Sequence, residues 1–520
     1  MSKEFSRKYS AYLVIRAFLL LALATILISC SGGGGDGSSS ATQPVYTAIF
    51  DAGSSGTRLS FYKVIPGNGG YPAITKIKTF NDKEYGVPND DGINDFLNGA
   101  GYIKLSTGEP LPAGCPGTSG LGQLDVEPCV IQPLLIQLDE AITLLNTANP
   151  SLNLTKSQVK VELFATAGMR TEDQSNGGSN TTTQILEYYS EMKSYVSQWG
   201  YSTGDFKTIN GNSEEGLWTW TNLNDYYFNS FGGNTTVSQT VQAPVGDFEV
   251  GGSSIQIAFP INDSPSDAAN IYRVSINGRT YNVFSKTFLG LGGDDARKYV
   301  KAFNYSANNG AADCYAATAT VNNTKESSGI QLYPSNQVIS GVYPFPSNTI
   351  LTAPWFTVVK ANLDLIGAPS YNYDACAPKF LTIVEQLSAL QRNKYGTLSD
   401  GALATFASFK TKLQSSTAPF YGTDNFFYTA KEISYTPSTG FNSTGFRNAL
   451  NTYCAGSVVD DSYKQNACPN GVFMDTYLFG SSGLFADSSA IFSGVLNPDN
   501  SDRETVLTWT RGYLLLKYAN

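Results

Sequence analysis

Apolar and polar positions recur along the chain at two periods, two and about three and a half, and the period changes from segment to segment. Tyr46 to Phe50 is a short apolar run that ends at Asp51, after which Leu59, Phe61 and Lys63 alternate with Ser60, Tyr62 and Val64. This pattern predicts two strands forming a hairpin with a glycine-containing tip. Leu134, Leu135, Leu138, Ile142 and Leu145 follow helical spacing, as do Ile185, Tyr189, Met192, Val196 and Trp199, with Gly200 placed to stop the second helix. Val159, Val161 and Leu163 alternate as a strand feeding Ala165. Strands and helices are mixed in order, which predicts an α/β or α+β class.

The first thirty residues read as a targeting segment. Lys3, Arg7, Lys8 and Arg16 flank an apolar run from Ala17 to Ile28. At ~1.5 Å per residue the run spans about 18 Å, short of the ~30 Å hydrocarbon core. Its end, Leu27-Ile28-Ser29-Cys30, resembles a bacterial lipoprotein signal with lipid on the Cys30 sulfur, and Ser31 points to export toward the outer membrane. Residues 31–43 then form a Gly/Ser-rich tether.

Composition narrows the chemistry. A length of 520 residues exceeds one ordinary core and predicts two lobes. A net charge of −9 argues against a nucleic-acid partner, which requires a basic face. The chain has no histidine, which removes Ser-His-Asp and Cys-His catalysis and leaves acid–base work to Asp, Glu, Tyr, Lys or Cys. Cys115, Cys129, Cys314, Cys376, Cys454 and Cys468 remain beside Cys30. An even set in an exported chain predicts three disulfides; fifteen pairings are possible, and neighbour pairing (115–129, 314–376, 454–468) is the arrangement expected here.

Asp51-Ala52-Gly53-Ser54-Ser55-Gly56-Thr57-Arg58 carries candidate chemistry. Its glycines let backbone approach an anion, and its amides and hydroxyls can cradle phosphate oxygens. Asp51 would repel that phosphate unless a cation stood between them, and a hydrated Mg²⁺ or Ca²⁺ suits oxygen ligands. Glu249-Val250-Gly251-Gly252-Ser253-Ser254 repeats the plan, a carboxylate at a strand end followed by small residues. The echo suggests two related lobes, each presenting one loop to a shared cleft.

Five segments in order resemble the ecto-nucleoside triphosphate diphosphohydrolases, the apyrase family, whose fold is shared with actin and sugar kinases. They are Asp51 to Arg58; Ala165-Thr166-Ala167-Gly168-Met169-Arg170; Gly211-Asn212-Ser213-Glu214-Glu215-Gly216-Leu217-Trp218-Thr219-Trp220; Glu249 to Gln256; and Trp509-Thr510-Arg511-Gly512-Tyr513. Phe420-Tyr421 and Phe426-Phe427-Tyr428 are similar to the family's aromatic stretch near the nucleotide.

The resemblance implies roles. Glu215 would take a proton from the attacking water, with Ser254 and Gln256 positioning that water. Thr166 would add an oxygen near the phosphates, and Ser54, Ser55, Gly56, Thr57, Arg58, Gly251, Gly252 and Ser253 would hold them. Asp51 and Glu249 would hold Mg²⁺ or Ca²⁺ through water, and Trp509 would wall that site or fill a core. Read without the resemblance, Glu214 and Glu215 are a solvated helix start capped by Ser213. The family usually has Asp where this chain has Glu249, one methylene longer.

The expected architecture is two actin-like, ribonuclease-H-like lobes of mixed sheets flanked by helices, with the site in the cleft. Residues 44–205 plus 485–520 would form lobe I and 206–484 lobe II. The expected activity is metal-dependent hydrolysis of nucleoside tri- and diphosphates by a membrane-anchored enzyme. An exopolyphosphatase-like phosphohydrolase, or a catalytically retired adhesin on the same scaffold, stays open on these residues.

Overall fold

The structure, a computed structural model, describes residues 43–519 except 55, 68–71, 82–91, 98–125, 174–179, 229–242, 264–269, 277, 306–310, 321–328, 334–337, 340–348, 351–354, 360–367, 382–412, 414–415, 417, 436–441, 480–491 and 496–507. Cys30 and the targeting segment, Ser55 and Cys115 therefore lie outside the described residues.

β1 (Val45–Gly53) and β2 (Gly56–Ile65) form the expected hairpin, with Val45 opposite Val64 and Gly53 opposite Gly56. β3 (Ala73–Asn81) extends it antiparallel, while β4 (Val159–Ala165) and β5 (Ser202–Thr208) continue the other edge in parallel. Parallel neighbours need crossover connections. These carry α1 (Ile93–Leu97) and α2 (Gln132–Ala148) before β4, then α3 (Ala167–Glu172) and α4 (Thr182–Gln198) before β5.

The apolar stripes seen in sequence are the buried faces. Leu134, Leu135, Leu138 and Ile142 of α2 and Ile185, Tyr189, Met192 and Val196 of α4 share one core with Ala48, Phe50, Val161 and Leu163 of the sheet. Thr181 caps α4 reciprocally: its hydroxyl accepts from the Gln184 amide while Gln184 Oε1 accepts from the Thr181 amide at 2.8 Å.

The second sheet repeats the first. After α5 (Leu217–Tyr226) come β6 (Gly246–Val250), β7 (Ser254–Pro260), β8 (Ile271–Ile276) and β9 (Arg279–Leu289), followed by α6 (Gly293–Tyr305). Two small ladders pair β10 (Gly329–Tyr333) with β13 (Trp355–Val359) and β11 (Val338–Ile339) with β12 (Thr349–Ile350). β14 (Phe420–Asp424) leads to α7 (Asn425–Glu432), α8 (Ser443–Cys454), α9 (Ser462–Phe479) and β15 (Phe492–Val495).

The first sheet has the order β3-β2-β1-β4-β5 and the second β8-β9-β7-β6-β14-β15. In each, an antiparallel hairpin lies beside two further strands that run parallel to its first member. The loop echo is thus matched by a repeat in strand order. This is the two-lobed α/β fold expected from the sequence.

α10 (Trp509–Lys517) closes the molecule. With α5 it makes a layer between the sheets. Ile49, Tyr62 and Phe164 of the first sheet pack on Trp218, Trp509 and Leu514, while Leu217 and Trp220 pack on Ala258, Val274 and Val283 of the second. The helices touch at backbone distance: a Cβ on Gly512 would sit 1.8 Å from the Trp218 carbonyl oxygen. Arg511 pairs with Asp225 of α5 at 2.6 Å, and Lys517 with Glu162 of β4 at 2.8 Å.

Disulfides join Cys314 to Cys376 and Cys454 to Cys468, two of the three expected pairs. Cys129 is disulfide-bonded as well.

Candidate functional site

Asp51 ends the inner part of β1, opposite Arg58 in the hairpin register. Burial pushes its carboxyl up to about 6, against the pull of the Arg58 guanidinium, and the Trp509 side chain hydrogen-bonds to it. Thr57 is buried, whereas Arg58 is exposed beside Asp51 and Asp424. Thr166 joins this corner because its amide donates to the Ala52 carbonyl at 3.0 Å.

The second loop spans the β6–β7 turn. The Gly251 amide donates to the Ser254 carbonyl at 2.9 Å, and the amides of Gly293 and Asp294 at the start of α6 donate to the Gly251 and Gly252 carbonyls at 2.9 Å each. A Cβ on Gly252 would lie 2.7 Å from Ser54 Oγ and 2.6 Å from Asp294 Oδ2. A side chain here would have to displace Ser54 or Asp294, and the close approach of Ser54 brings the two loops into contact.

Glu215 lies on a wide helical turn, Gly211–Gly216, that runs into α5. The turn is capped by Asn210, not by Ser213 as the sequence suggested. Asn210 Oδ1 accepts from the amides of Asn212 and Ser213 at 2.8 and 3.0 Å, because the turn begins three residues earlier than a start at Glu214 would require. The paired glutamates part company here. Glu214 bonds to Lys207 and to the Asn210 amide, the latter at 2.7 Å. Glu215 turns inward and is 6% exposed.

Glu215 Oε2 receives Arg170 Nη1 at 2.6 Å and Gln256 Nε2 at 3.1 Å. Ser254 Oγ accepts from Gln256 Nε2 at 2.5 Å and from Arg170 Nη2 at 3.1 Å. Arg170 was absent from the candidates read from sequence, although it ends the quoted Ala165–Arg170 segment. A buried arginine requires a carboxylate partner, and the fold supplies Glu215.

Glu249 stands opposite Gln256 in the β6–β7 register. Thr219 Oγ1 donates to Glu249 Oε2 at 3.0 Å. Burial, followed by the nearby charges of Glu215, Asp247 and Asp424, holds the Glu249 carboxyl well above the ordinary range.

Two further carboxylates were missed. Burial raises Asp247 to about 8; its Oδ1 accepts from Thr423 at 3.1 Å, and its Oδ2 is buried without a hydrogen-bond partner. Asp424 precedes α7 at φ 52°, ψ −127°, a conformation that L-residues rarely adopt, and its side chain does not cap the helix. Burial raises it to about 7, opposed by Arg58. Both acids end or interrupt apolar strand patterns, so sequence alone marks them as strand polarity.

Asp51, Asp247, Glu249 and Asp424 thus offer oxygen donors only, with one buried oxygen unpartnered. Among the described residues no three acidic or cysteine side chains converge closely enough to hold a metal directly. Oxygen donors are the type that a hard divalent cation takes. Of the quoted aromatic residues, Phe420, Phe426 and Phe427 are core, while Tyr421 and Tyr428 keep exposed surface.

Comparison with known proteins gives a consistent picture. Residues 137–471 match the model of the GDA1/CD39 (nucleoside phosphatase) family. The chain is 28% identical over 273 residues to nucleoside-triphosphatase ntp-1 of Caenorhabditis elegans, a match covering 51% of this chain and 41% of that one. It is 26% identical over 299 residues to ectonucleoside triphosphate diphosphohydrolase 2 of Gallus gallus, covering 56% and 50%. The matches thus span half or less of these curated relatives' lengths. A solved structure of nucleoside triphosphate hydrolases from Neospora caninum shares the fold, with a TM-score of 0.50 at 15% identity over 92% of this chain and 93% of that chain.

Proposed function

The chain belongs to the GDA1/CD39 (nucleoside phosphatase) family, and on that premise we propose that it hydrolyses nucleoside tri- and diphosphates to monophosphates and phosphate. The observation that carries this reading is the buried cluster of Glu215, Arg170, Ser254 and Gln256, which adjoins the turn where the two glycine loops meet.

Glu215 is the general base. Its Oε2 takes the bonds from Arg170 and Gln256 while Oε1 takes none among the described residues, so Oε1 is the oxygen open to a water proton. Ser254 Oγ accepts from Arg170 and Gln256, which leaves its own hydrogen free to orient that water. With no histidine in the chain, a carboxylate base suits a phosphoryl transfer in which positioning and electrostatics dominate. Ser54, Ser55, Gly56 and Thr57, with Arg58, Thr166 and Gly251 to Ser253, hold the phosphate oxygens. Asp51 and Glu249 would hold Mg²⁺ or Ca²⁺ through water, and the cation would supply the charge that screens phosphate from these carboxylates.

Phosphate release from ATP and ADP, measured with and without chelator, tests the proposal. Cation-dependent release from both nucleotides is expected. Turnover of long polyphosphate in place of ATP would favour an exopolyphosphatase, and no release from any of these would favour a non-catalytic surface role.

We further propose export and anchoring through lipid on Cys30. The disulfides support an oxidising location. Cys30→Ser should move the protein out of the detergent phase; unchanged partitioning would refute the anchor.

A further inference from the structure

A glutamate reaches one methylene beyond an aspartate and has one more torsion to fix, so Glu249 needs an orienting partner before it can hold a cation through water. Gln256, opposite it on β7, does not provide one. The Gln256 amide nitrogen is spent on Glu215, Ser254 and Thr287 at 3.1, 2.5 and 3.3 Å. The partner comes instead from α5, where Thr219 Oγ1 lies 3.0 Å from Glu249 Oε2.

Thr219 is 3% exposed. A threonine within a helix ordinarily satisfies itself on the carbonyl four residues back, and Thr219 Oγ1 is also 2.9 Å from the Glu215 carbonyl oxygen. A hydroxyl has one hydrogen. That hydrogen is therefore shared between the backbone that carries Glu215 and the carboxylate of Glu249. β6 repeats the device two residues earlier, where Thr423 of β14 bonds Asp247.

We propose that Thr219 is a positioning residue whose hydroxyl pins the Glu249 carboxylate to the turn that carries Glu215, so that cation affinity and the placement of the base are set together. The proposal rests on the reading of Glu249 as a water-mediated cation holder. A hydrogen bond to a ligating carboxylate typically governs metal affinity by about 10–100-fold, so removal of the hydroxyl should be visible in binding of the cation alone.

The test is Mn²⁺ binding to the full chain, followed by the paramagnetic resonance signal of free Mn²⁺, with thermal melts to verify folding. Thr219→Val keeps the branched shape and should weaken binding about 10–100-fold. Thr219→Ser keeps the hydroxyl and should stay within about threefold. In a Glu249→Asp background, where the shorter acid no longer reaches the hydroxyl, Thr219→Val should cost about threefold or less. Equal losses in both backgrounds, or no loss in the Glu249 background, would overturn the proposal while leaving the reading of Glu249 intact. Unchanged Mn²⁺ binding in Glu249→Ala would overturn that reading and the proposal with it. Should Thr219→Val not fold, Thr219→Ala read against Thr219→Ser makes the same comparison.

Discussion

Arg170 Nη1 lies 2.6 Å from Glu215 Oε2, and both side chains are buried. The second fork of the guanidinium reaches Ser254, so one arginine orients the proposed base and one of its water-positioning partners. Removing one member of a buried pair strands the other charge, which costs about 3–5 kcal/mol. Arg170→Met should destabilise the protein by about that amount in denaturant melts, and the double variant with Glu215→Leu should recover much of it. Additive losses would mean that the two side chains do not act as a pair.

Glu215→Gln separates base chemistry from positioning. The amide can still accept from Arg170 and hydrogen-bond water, but it cannot take a proton. Turnover should fall ~10²–10⁴-fold while nucleotide affinity changes little. Glu214→Gln is the control, because Glu214 bonds to Lys207 and a loop amide away from the cluster. It should stay within about tenfold of wild type, a surface ion pair being weak. Equal loss in both variants would assign the base to the pair.

Chelated protein should lose stability as pH rises. Burial holds Asp51 up to about 6, Asp424 to about 7 and Asp247 to about 8. The folded chain therefore keeps protons that the unfolded chain has shed. Stability is full below the ordinary aspartate range and declines as pH climbs through these values. Melting temperature in chelator should fall between about pH 5 and pH 8. Added Mg²⁺ or Ca²⁺ should restore more of it at the higher pH, where cation no longer competes with protons. A flat profile in chelator would show that these acids are solvated.

Gly512→Ala tests the contact between α5 and α10. The added methyl would meet the Trp218 carbonyl oxygen at 1.8 Å, and backbone cannot yield as a side-chain end can. Overpacking of this kind costs about 1–3 kcal/mol or more. The variant should also lose activity, since Trp218 shares the helix that follows Glu215 and Trp509 touches Asp51. Wild-type stability would mean that the helices part without penalty.

The fold was legible where the signal was local. Periods of two and of about three and a half reported β1, β2, β4, α2 and α4 because each element buries one face or both. Neighbour pairing anticipated Cys314–Cys376 and Cys454–Cys468 because each pair lies on segments that pack together. The site was legible only as far as motifs reach. Arg170 follows β4 and Glu215 follows β5, and nothing in either segment alone announces the other. Asp424 reads as ordinary strand polarity until its backbone conformation and its unused capping side chain are known. Ser213 is the cap read from the sequence, and the geometry of the wide turn gives that role to Asn210.

The layer between the sheets also ties the packing of early segments to a late one. Tyr62 hydrogen-bonds to Thr510, 448 positions away, and Trp509 reaches Asp51 near the opposite end of the described chain. Until α10 emerges, the face of the first sheet formed by Ile49, Tyr62 and Phe164 lacks the part of its cover that Trp509 and Leu514 supply. A chain stopped short of Trp509 leaves part of that face exposed, which binding of an apolar dye by such a fragment would show. The first sheet is therefore fully covered only once the segment around Trp509 has joined it.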